Sequence, residues 1–178
     1  MTKYVVFLRG INVGGHKPVK MEELKKAFES MGFQNVKTIL ASGNVLFETT
    51  ETGTDNLLKR IEEKLEKEYW HEIGVLIRTI EEIQNLADAD PFKNIKVTPL
   101  TRFYVTFLSE KSENALKIPY ESIEKDMKIV QVSASEVCSF ITLSPNRGTS
   151  DLMSVLEKEY GRKVTTRNWN TVTKILKG

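Results

Sequence analysis

A short segment near the N-terminus concentrates residue types that bind anions. It reads Leu-Arg-Gly-Ile-Asn-Val-Gly-Gly-His-Lys over residues 8–17, directly after an apolar run. Glycine lets a ligand approach the backbone closely, an asparagine amide donates hydrogen bonds, and an arginine fork matches carboxylate and phosphate groups. The segment contains no Asp or Glu, so a carboxylate pair for acid–base catalysis would have to come from elsewhere. The pattern indicates an anion-binding loop.

Known phosphate-binding motifs match this loop only in part. Gly10 and Gly15 have the spacing of the P-loop glycines, but His16 stands where that motif needs Lys. Lys17 stands where the motif needs a hydroxyl for Mg²⁺, and the dinucleotide fingerprint Gly-x-Gly-x-x-Gly is absent. The cofactor therefore stays unknown, and whether the protein is an enzyme is left open. Ser42 as a nucleophile would need His16 as its base, and a role in a turn is favoured for it.

The first half of the chain predicts the order β-α-β-β-α-β. The run over residues 4–8 is apolar at every position, which is typical of a central strand covered on both faces. Gly32 is expected to end the first helix, and Thr54 or Asp55 to cap the second. Ser42, Gly43 and Asn44 have the composition of a tight hairpin turn. The predicted strands are 4–9, 36–41, 45–49 and 73–78, and the helices are 21–31 and 56–70.

The second half repeats this order without repeating its residues. Thr79 and Glu82 fit a capping box for a helix that ends before Pro91, and residues 88–99 read as a linker. The last strand is predicted to be short or absent, and a final helix begins near Asn168. The fold class is therefore α+β, with two tandem ferredoxin-like units over 1–90 and 100–178, the second truncated and closed by a C-terminal helix. The predicted strands are 102–108, 127–132, 136–143 and 163–166, and the helices are 111–117 and 151–160.

The ferredoxin-like order 4-1-3-2 brings two distant segments together. Strand 1 ends at the edge where strand 2 turns into strand 3, so residues 10–17 should lie beside residues 42–44. Arg167 is expected either to reach this loop as a second arginine or to be a surface charge. Asn168 is expected to cap the last helix, and Trp169 to anchor it. The candidate ligand-binding residues are Arg9, Asn12, Gly14, Gly15, Lys17, Ser42, Asn44, Arg167, Asn168 and Thr171.

Composition limits the classes of protein to consider. The chain has 178 residues, a net charge of +2, 40% hydrophobic and 28% charged residues, so no basic excess argues for nucleic acid. An RNA-recognition sheet would carry base-stacking aromatics where Asn44 and Leu46 stand. The lone Cys138 excludes an intramolecular disulfide and a cysteine-based metal cage, and no metal site is predicted. Neither a signal segment nor a membrane-spanning run is found, so we expect a cytoplasmic protein with no membrane partner.

Three blocks of sequence together resemble a known family. They are the segment 8–15, the Ser-Gly-Asn turn at 42–44, and Thr-Arg-Asn-Trp-Asn-Thr-Val at 166–172. The chain is similar to the bacterial proteins grouped as domain of unknown function 1697, and the resemblance runs from Lys3 to Leu176. It implies a cytoplasmic α+β protein with two ferredoxin-like units and brings no established activity. The positions that it marks are Arg9, Asn12, Gly14, Gly15, Ser42, Asn44, Arg167, Asn168 and Thr171.

Three functions remain open at this point. The first is binding of a small anionic or phosphorylated ligand by the loop 9–17 and the turn 42–44. The second is nucleic-acid binding through the same donors, which is not favoured. The third is a non-catalytic interaction or structural role, and the oligomeric state is not specified.

Overall fold

The computed structural model of the chain describes residues 1–12, 18–109, 117–123, 125–144 and 150–178. The chain divides into two compact units, Met1–Asn85 with Thr173–Gly178, and Leu86–Val172. Each unit contains an antiparallel sheet with helices, so the protein is of mixed α+β class. The helix predicted over 111–117 lies almost entirely outside the described residues. In chain order, the described elements are β1 (Thr2–Arg9), α1 (Met21–Ser30), β2 (Gln34–Ile39), β3 (Asn44–Thr49), α2 (Thr54–Tyr69), β4 (Gly74–Thr79), α3 (Ile80–Asp88), β5 (Thr101–Leu108), β6 (Tyr120–Glu121), β7 (Met127–Val132), β8 (Glu136–Thr142), α4 (Ser150–Tyr160), β9 (Val164–Asn168) and α5 (Trp169–Lys177).

The sheet of the first unit has the order β2-β3-β1-β4, and every neighbouring pair is antiparallel. This is the strand order predicted from the sequence. The β2–β3 connection is longer than predicted, because β2 ends at Ile39 and residues 40–43 form the turn. Leu40 leaves the ladder with a φ of +60°, so the turn has a left-handed residue at each end, Leu40 and Gly43.

The central strand β1 is buried on both faces, as its apolar run predicted. Alternate residues of a strand point to opposite faces. Tyr4, Val6 and Leu8 belong to the core that packs against α1 and α2. Val5 and Phe7, on the opposite face, have no exposed surface.

Two predicted helix starts have different outcomes. Helix α2 begins at Thr54 with Gly53 as its N-cap and no side-chain cap hydrogen bond, so neither Thr54 nor Asp55 caps it. Gly53 has a φ of +101°, a non-helical conformation that lies directly before the first helical residue. The capping box before α3 is confirmed: the Glu82 N–H donates to Thr79 Oγ1 (3.1 Å) and the Thr79 N–H donates to Glu82 Oε2 (2.8 Å).

The sheet of the second unit has the order β6-β7-β8-β5-β9. Its last strand, predicted to be short or absent, is a five-residue strand, β9, which pairs with β5 along its length. Residues 89–100, which cover most of the predicted linker, contain neither helix nor strand. Phe92 of this segment is buried, and its ring lies 4.5 Å from the ring of Phe103, so the segment is anchored to the sheet.

Candidate functional site

The start of the glycine loop lies against the β2–β3 turn, as the predicted strand order required. The Leu8 N–H donates to the Gly43 carbonyl at 2.8 Å. The Asn12 side chain donates to the Ala41 carbonyl at 3.2 Å, across 29 positions of sequence. The prediction that these segments meet is therefore confirmed for the part of the loop that the structure describes. Gly14, Gly15, His16 and Lys17 lie outside that part.

Gly43 makes this close approach possible. A Cβ on Gly43 would lie 2.4 Å from Ile11 Cδ1, closer than real Cβ contacts, and 3.0 Å from Leu8 Cβ, which is a tight contact. Its φ of +76° also belongs to the left-handed region, which favours glycine. The backbone conformation therefore favours glycine at this position, and a larger residue would also force the end of the Ile11 side chain to move.

The Asn12 side chain joins the two described ends of the glycine loop, Asn12 and Val19. Its Oδ1 accepts a hydrogen bond from the Val19 N–H (2.7 Å), and its Nδ2 donates to the Val19 carbonyl (3.2 Å). The same amide nitrogen donates to Ala41, so both of its hydrogens have acceptors in the protein. The φ of Asn12 is +56°, a conformation that asparagine tolerates better than most residues. We refer to these three hydrogen bonds as the Asn12 latch.

Asn44 and Ser42 organise the neighbouring turn. Asn44 is fully buried, and its Nδ2 donates to the Ile39 carbonyl (2.7 Å) and to Ser42 Oγ (3.0 Å). The amide therefore spans the turn from the last residue of β2 to the start of β3. Ser42 is exposed at the tip and accepts from this amide.

Arg9 differs from these two asparagines. It is the last residue of β1 and is half-buried. It pairs with Gly74, the first residue of β4, and its Nε lies 3.2 Å from the place where a Gly74 Cβ would stand. Among the residues that the structure describes, its guanidinium has no hydrogen-bond or ion-pair partner. The side chain thus lies over β4, whereas the β2–β3 turn is on the other side of β1.

Sequence reasoning missed the role of Gly74. A glycine at the start of a strand signals a close approach by another group, which here is the Arg9 side chain. This signal was available in the sequence, but the identity of the approaching residue depends on the register of β1 and β4.

Arg167, Asn168 and Thr171 belong to the second unit and are described within it. Burial lowers the pKa of the Arg167 guanidinium to about 10, and its Nη1 donates to the Thr166 carbonyl at 3.0 Å. Asn168 caps α5, since its Oδ1 accepts from the Asn170 N–H at 2.9 Å, which confirms the predicted cap. Trp169 packs edge-on against Phe92 with ring centroids 5.2 Å apart, in agreement with its predicted anchoring role. Thr171 is buried.

Other reactive groups do not add to this site. Cys138 is buried as predicted, and burial raises the pKa of its thiol to about 12, so a thiolate nucleophile is disfavoured. Across the described ranges, no group of three or more His, Cys, Asp and Glu residues is arranged to hold a metal ion. In the same ranges, every helix is too short or too polar to cross a membrane.

The chain is an α+β protein with two antiparallel sheets in two compact units. Its candidate anion site lies at the end of β1, where Arg9 stands close to the residues of the Asn12 latch. Residues 1–137 match the family model described as protein of unknown function (DUF1697), and the chain belongs to this family. No curated protein matches the sequence. A solved structure, that of the conserved bacterial protein SP0830 from Streptococcus pneumoniae, is similar with a TM-score of 0.73 and 20% sequence identity. The similarity covers 99% of this chain and 97% of that one, and it concerns the fold alone.

Proposed function

We propose that the protein binds a small anionic or phosphorylated ligand at the end of β1, with Arg9 as the principal contact. The observation that carries this proposal is the half-buried Arg9 guanidinium, which has no partner among the described residues. A guanidinium has five N–H donors in a planar fork that matches carboxylate and phosphate oxygens. Leaving such a group partly desolvated and unpaired costs free energy, which an anionic ligand would recover.

The neighbouring residues divide into two roles under this proposal. The amides of Asn12 and Asn44 donate to protein acceptors, so they fix the backbone around the site. Gly74 leaves the space over which Arg9 lies. Gly14, Gly15 and Lys17 stay proposed ligand contacts from the sequence. Arg167, Asn168 and Thr171 stay a proposed contribution of the second unit.

Nucleic-acid binding through the sheet face is the less favoured alternative. Tyr4 and Phe7, the aromatic residues of β1 that could stack on bases, are both buried. Binding through phosphate contacts alone would instead weaken steeply as salt rises, because each contact releases counterions. Salt dependence therefore separates this alternative from a small-ligand site.

We further propose that the fold consists of two ferredoxin-like units, with residues 1–90 and 100–178 as the domains. The order of β7, β8, β5 and β9 repeats that of β2, β3, β1 and β4, which supports this reading. Under it, Arg9 ends the central strand of the first unit.

The test is thermal melting against phosphorylated metabolites, nucleotides, carboxylates and short RNA or DNA, at low and high salt. A ligand at about one hundred times its Kd stabilises by about 2.7 kcal/mol, which raises Tm by roughly 5–10 °C for a chain of this size. We expect the shift to disappear in Arg9→Ala. It should also shrink in Gly74→Ala, where the new Cβ displaces the Arg9 side chain without removing it.

Lys3→Ala is the matched control, because Lys3 is a cation on the same strand and the same face as Arg9, at its opposite end. It should keep the full ligand shift. An equal loss in Lys3→Ala would mean that general charge, and not the Arg9 fork, holds the ligand. The absence of a shift with every compound would contradict the proposal and favour the interaction role.

A further inference from the structure

A pocket lies on the helical side of the first unit, at the same sheet edge as the end of β1. It has a volume of about 260 Å³ and lies between the start of α1 and the end of α2. This volume is below the roughly 300–1,000 Å³ of sites for drug-sized ligands, so it suits a single head group. Its walls are formed by Pro18, Glu23, Glu68, Tyr69 and Trp70.

Trp70 is an unusual residue for its position. It follows the last residue of α2 in the left-handed conformation (φ +61°, ψ +23°), where glycine is the usual choice. Its side chain is 90% exposed, although tryptophan is among the most strongly buried residue types on average. Neither the backbone conformation nor the packing of the described residues of the unit explains a tryptophan here. An indole face at the rim of a pocket is, however, the best aromatic surface for a cation.

The charge of the pocket points to the same class of ligand. Of the five wall residues that the structure describes, two are glutamates and none is basic. The wall also includes the last turn of a 16-residue helix, and the negative end of a helix dipole favours a positive charge. Glu22 and Glu23 offset the opposite dipole of the first turn of α1.

The Tyr69 hydroxyl in the pocket wall is a buried polar group without a hydrogen-bond partner among the described residues. Burial, together with the nearby carboxylates of Glu68 and Glu23, raises the pKa of this phenol to about 12. The hydroxyl therefore stays protonated and lies within the field of both carboxylates.

We propose that this pocket binds an alkylammonium group, with Glu23 and Glu68 as its counter-ions and the Trp70 indole as its aromatic wall. Both glutamates now pair with lysines in partly exposed ion pairs, Lys20 Nζ at 3.6 Å from Glu23 and Lys64 Nζ at 3.0 Å from Glu68. Such exposed pairs contribute little stability, so an incoming ammonium group can replace them at small cost. The proposed wall shares no residue with the proposed anion site at Arg9, so the two proposals can fail separately.

Trp70 supplies its own probe, because the chain has only two tryptophans. In Trp169→Phe, all indole fluorescence comes from Trp70. We expect a saturable change in its emission on titration with 1,5-diaminopentane or Nα-acetyl-lysine amide at low salt, and none with the neutral 1-pentanol. Tighter binding of the diamine would identify a free polyamine-like ligand, and tighter binding of the lysine amide would identify a lysine side chain.

The residue test is Glu23→Gln with Glu68→Gln in the same background. Two exposed ion pairs imply that Kd should rise about 2- to 30-fold. The matched control is Glu22→Gln with Glu63→Gln, which makes the same charge change on the same two helices outside the pocket wall and should leave Kd unchanged. No saturable change with either amine, an equal response to pentanol, or an equal rise of Kd in the control would overturn the proposal.

Discussion

We expect the Asn12 latch to contribute measurably to the stability of the first unit. Asn12→Gly removes all three hydrogen bonds of the latch but keeps the left-handed backbone conformation accessible. Val19 is buried, so its N–H would lose its partner away from water. At about 1 kcal/mol for each bond to Val19 and less for the exposed bond to Ala41, the free energy of unfolding should fall by about 2–3 kcal/mol. Asn12→Ala should add about 1–2 kcal/mol for the left-handed conformation.

Asn35 offers the matched control. It also has a left-handed backbone (φ +51°), but it makes a single exposed hydrogen bond to the Glu48 side chain. Asn35→Gly should therefore change stability by less than about 0.5 kcal/mol. Urea unfolding followed by circular dichroism gives these values, and amide exchange at Val19 should accelerate only in the Asn12 variants. If Asn12→Gly and Asn35→Gly were equally mild and the Val19 amide remained protected, the latch would not hold the loop in solution.

Three further predictions concern the turn, a helix start and the buried thiol. Gly43→Ala should lower the free energy of unfolding by about 2–5 kcal/mol, because of the positive φ and the contact of the new Cβ with Ile11 Cδ1. In a double-mutant cycle, Ile11→Val should recover part of that loss, because valine lacks the Cδ1 atom. Thr79→Ala should cost about 0.5–2 kcal/mol in urea unfolding, because it removes one half of the capping box, whereas Thr54→Ala should cost far less. Cys138 should not react with a colorimetric disulfide reagent at pH 8 until urea unfolds the chain. Because its pKa is about 12 in the folded state against 9.0 when exposed, the unfolded chain releases this proton first, and stability should fall as pH rises from about 9 to 12.

The sequence was sufficient for features that depend on local pattern. The apolar run over residues 4–8 predicted a strand covered on both faces, and Tyr4 through Leu8 are all buried. The capping residues of α3 and α5 act within three positions of their partners, so spacing alone located them. The cap of α2 was predicted wrongly, because Thr54 and Asp55 are favoured caps by residue type, whereas the N-cap is Gly53 and makes no side-chain hydrogen bond.

The sequence predicted where the candidate site lies, but not which of its residues are free to contact a ligand and which hold the backbone in place. An asparagine amide that binds a ligand and one that holds a loop look alike in sequence, since both offer the same donors and acceptor. Only the fold shows that the carbonyls of Val19 and Ala41 lie within reach of Asn12. The Arg9 side chain occupies space that is open because Gly74 has no side chain, and Gly74 lies in a strand that is distant in sequence.

The lack of a partner for Arg9 among the described residues has a consequence for stability in the absence of ligand. A half-buried guanidinium with no partner loses hydration without a compensating bond, whereas a leucine at the same point would extend the apolar face formed by Val5 and Phe7. We therefore expect Arg9→Leu to raise the free energy of unfolding by up to about 1 kcal/mol while removing the ligand-dependent melting shift. Lys3→Leu, at the opposite end of the same face, should leave the ligand shift intact. If Arg9→Leu instead destabilised the free protein strongly, Arg9 would be a structural residue with a partner in solution, and the case for an anion site at the end of β1 would fail.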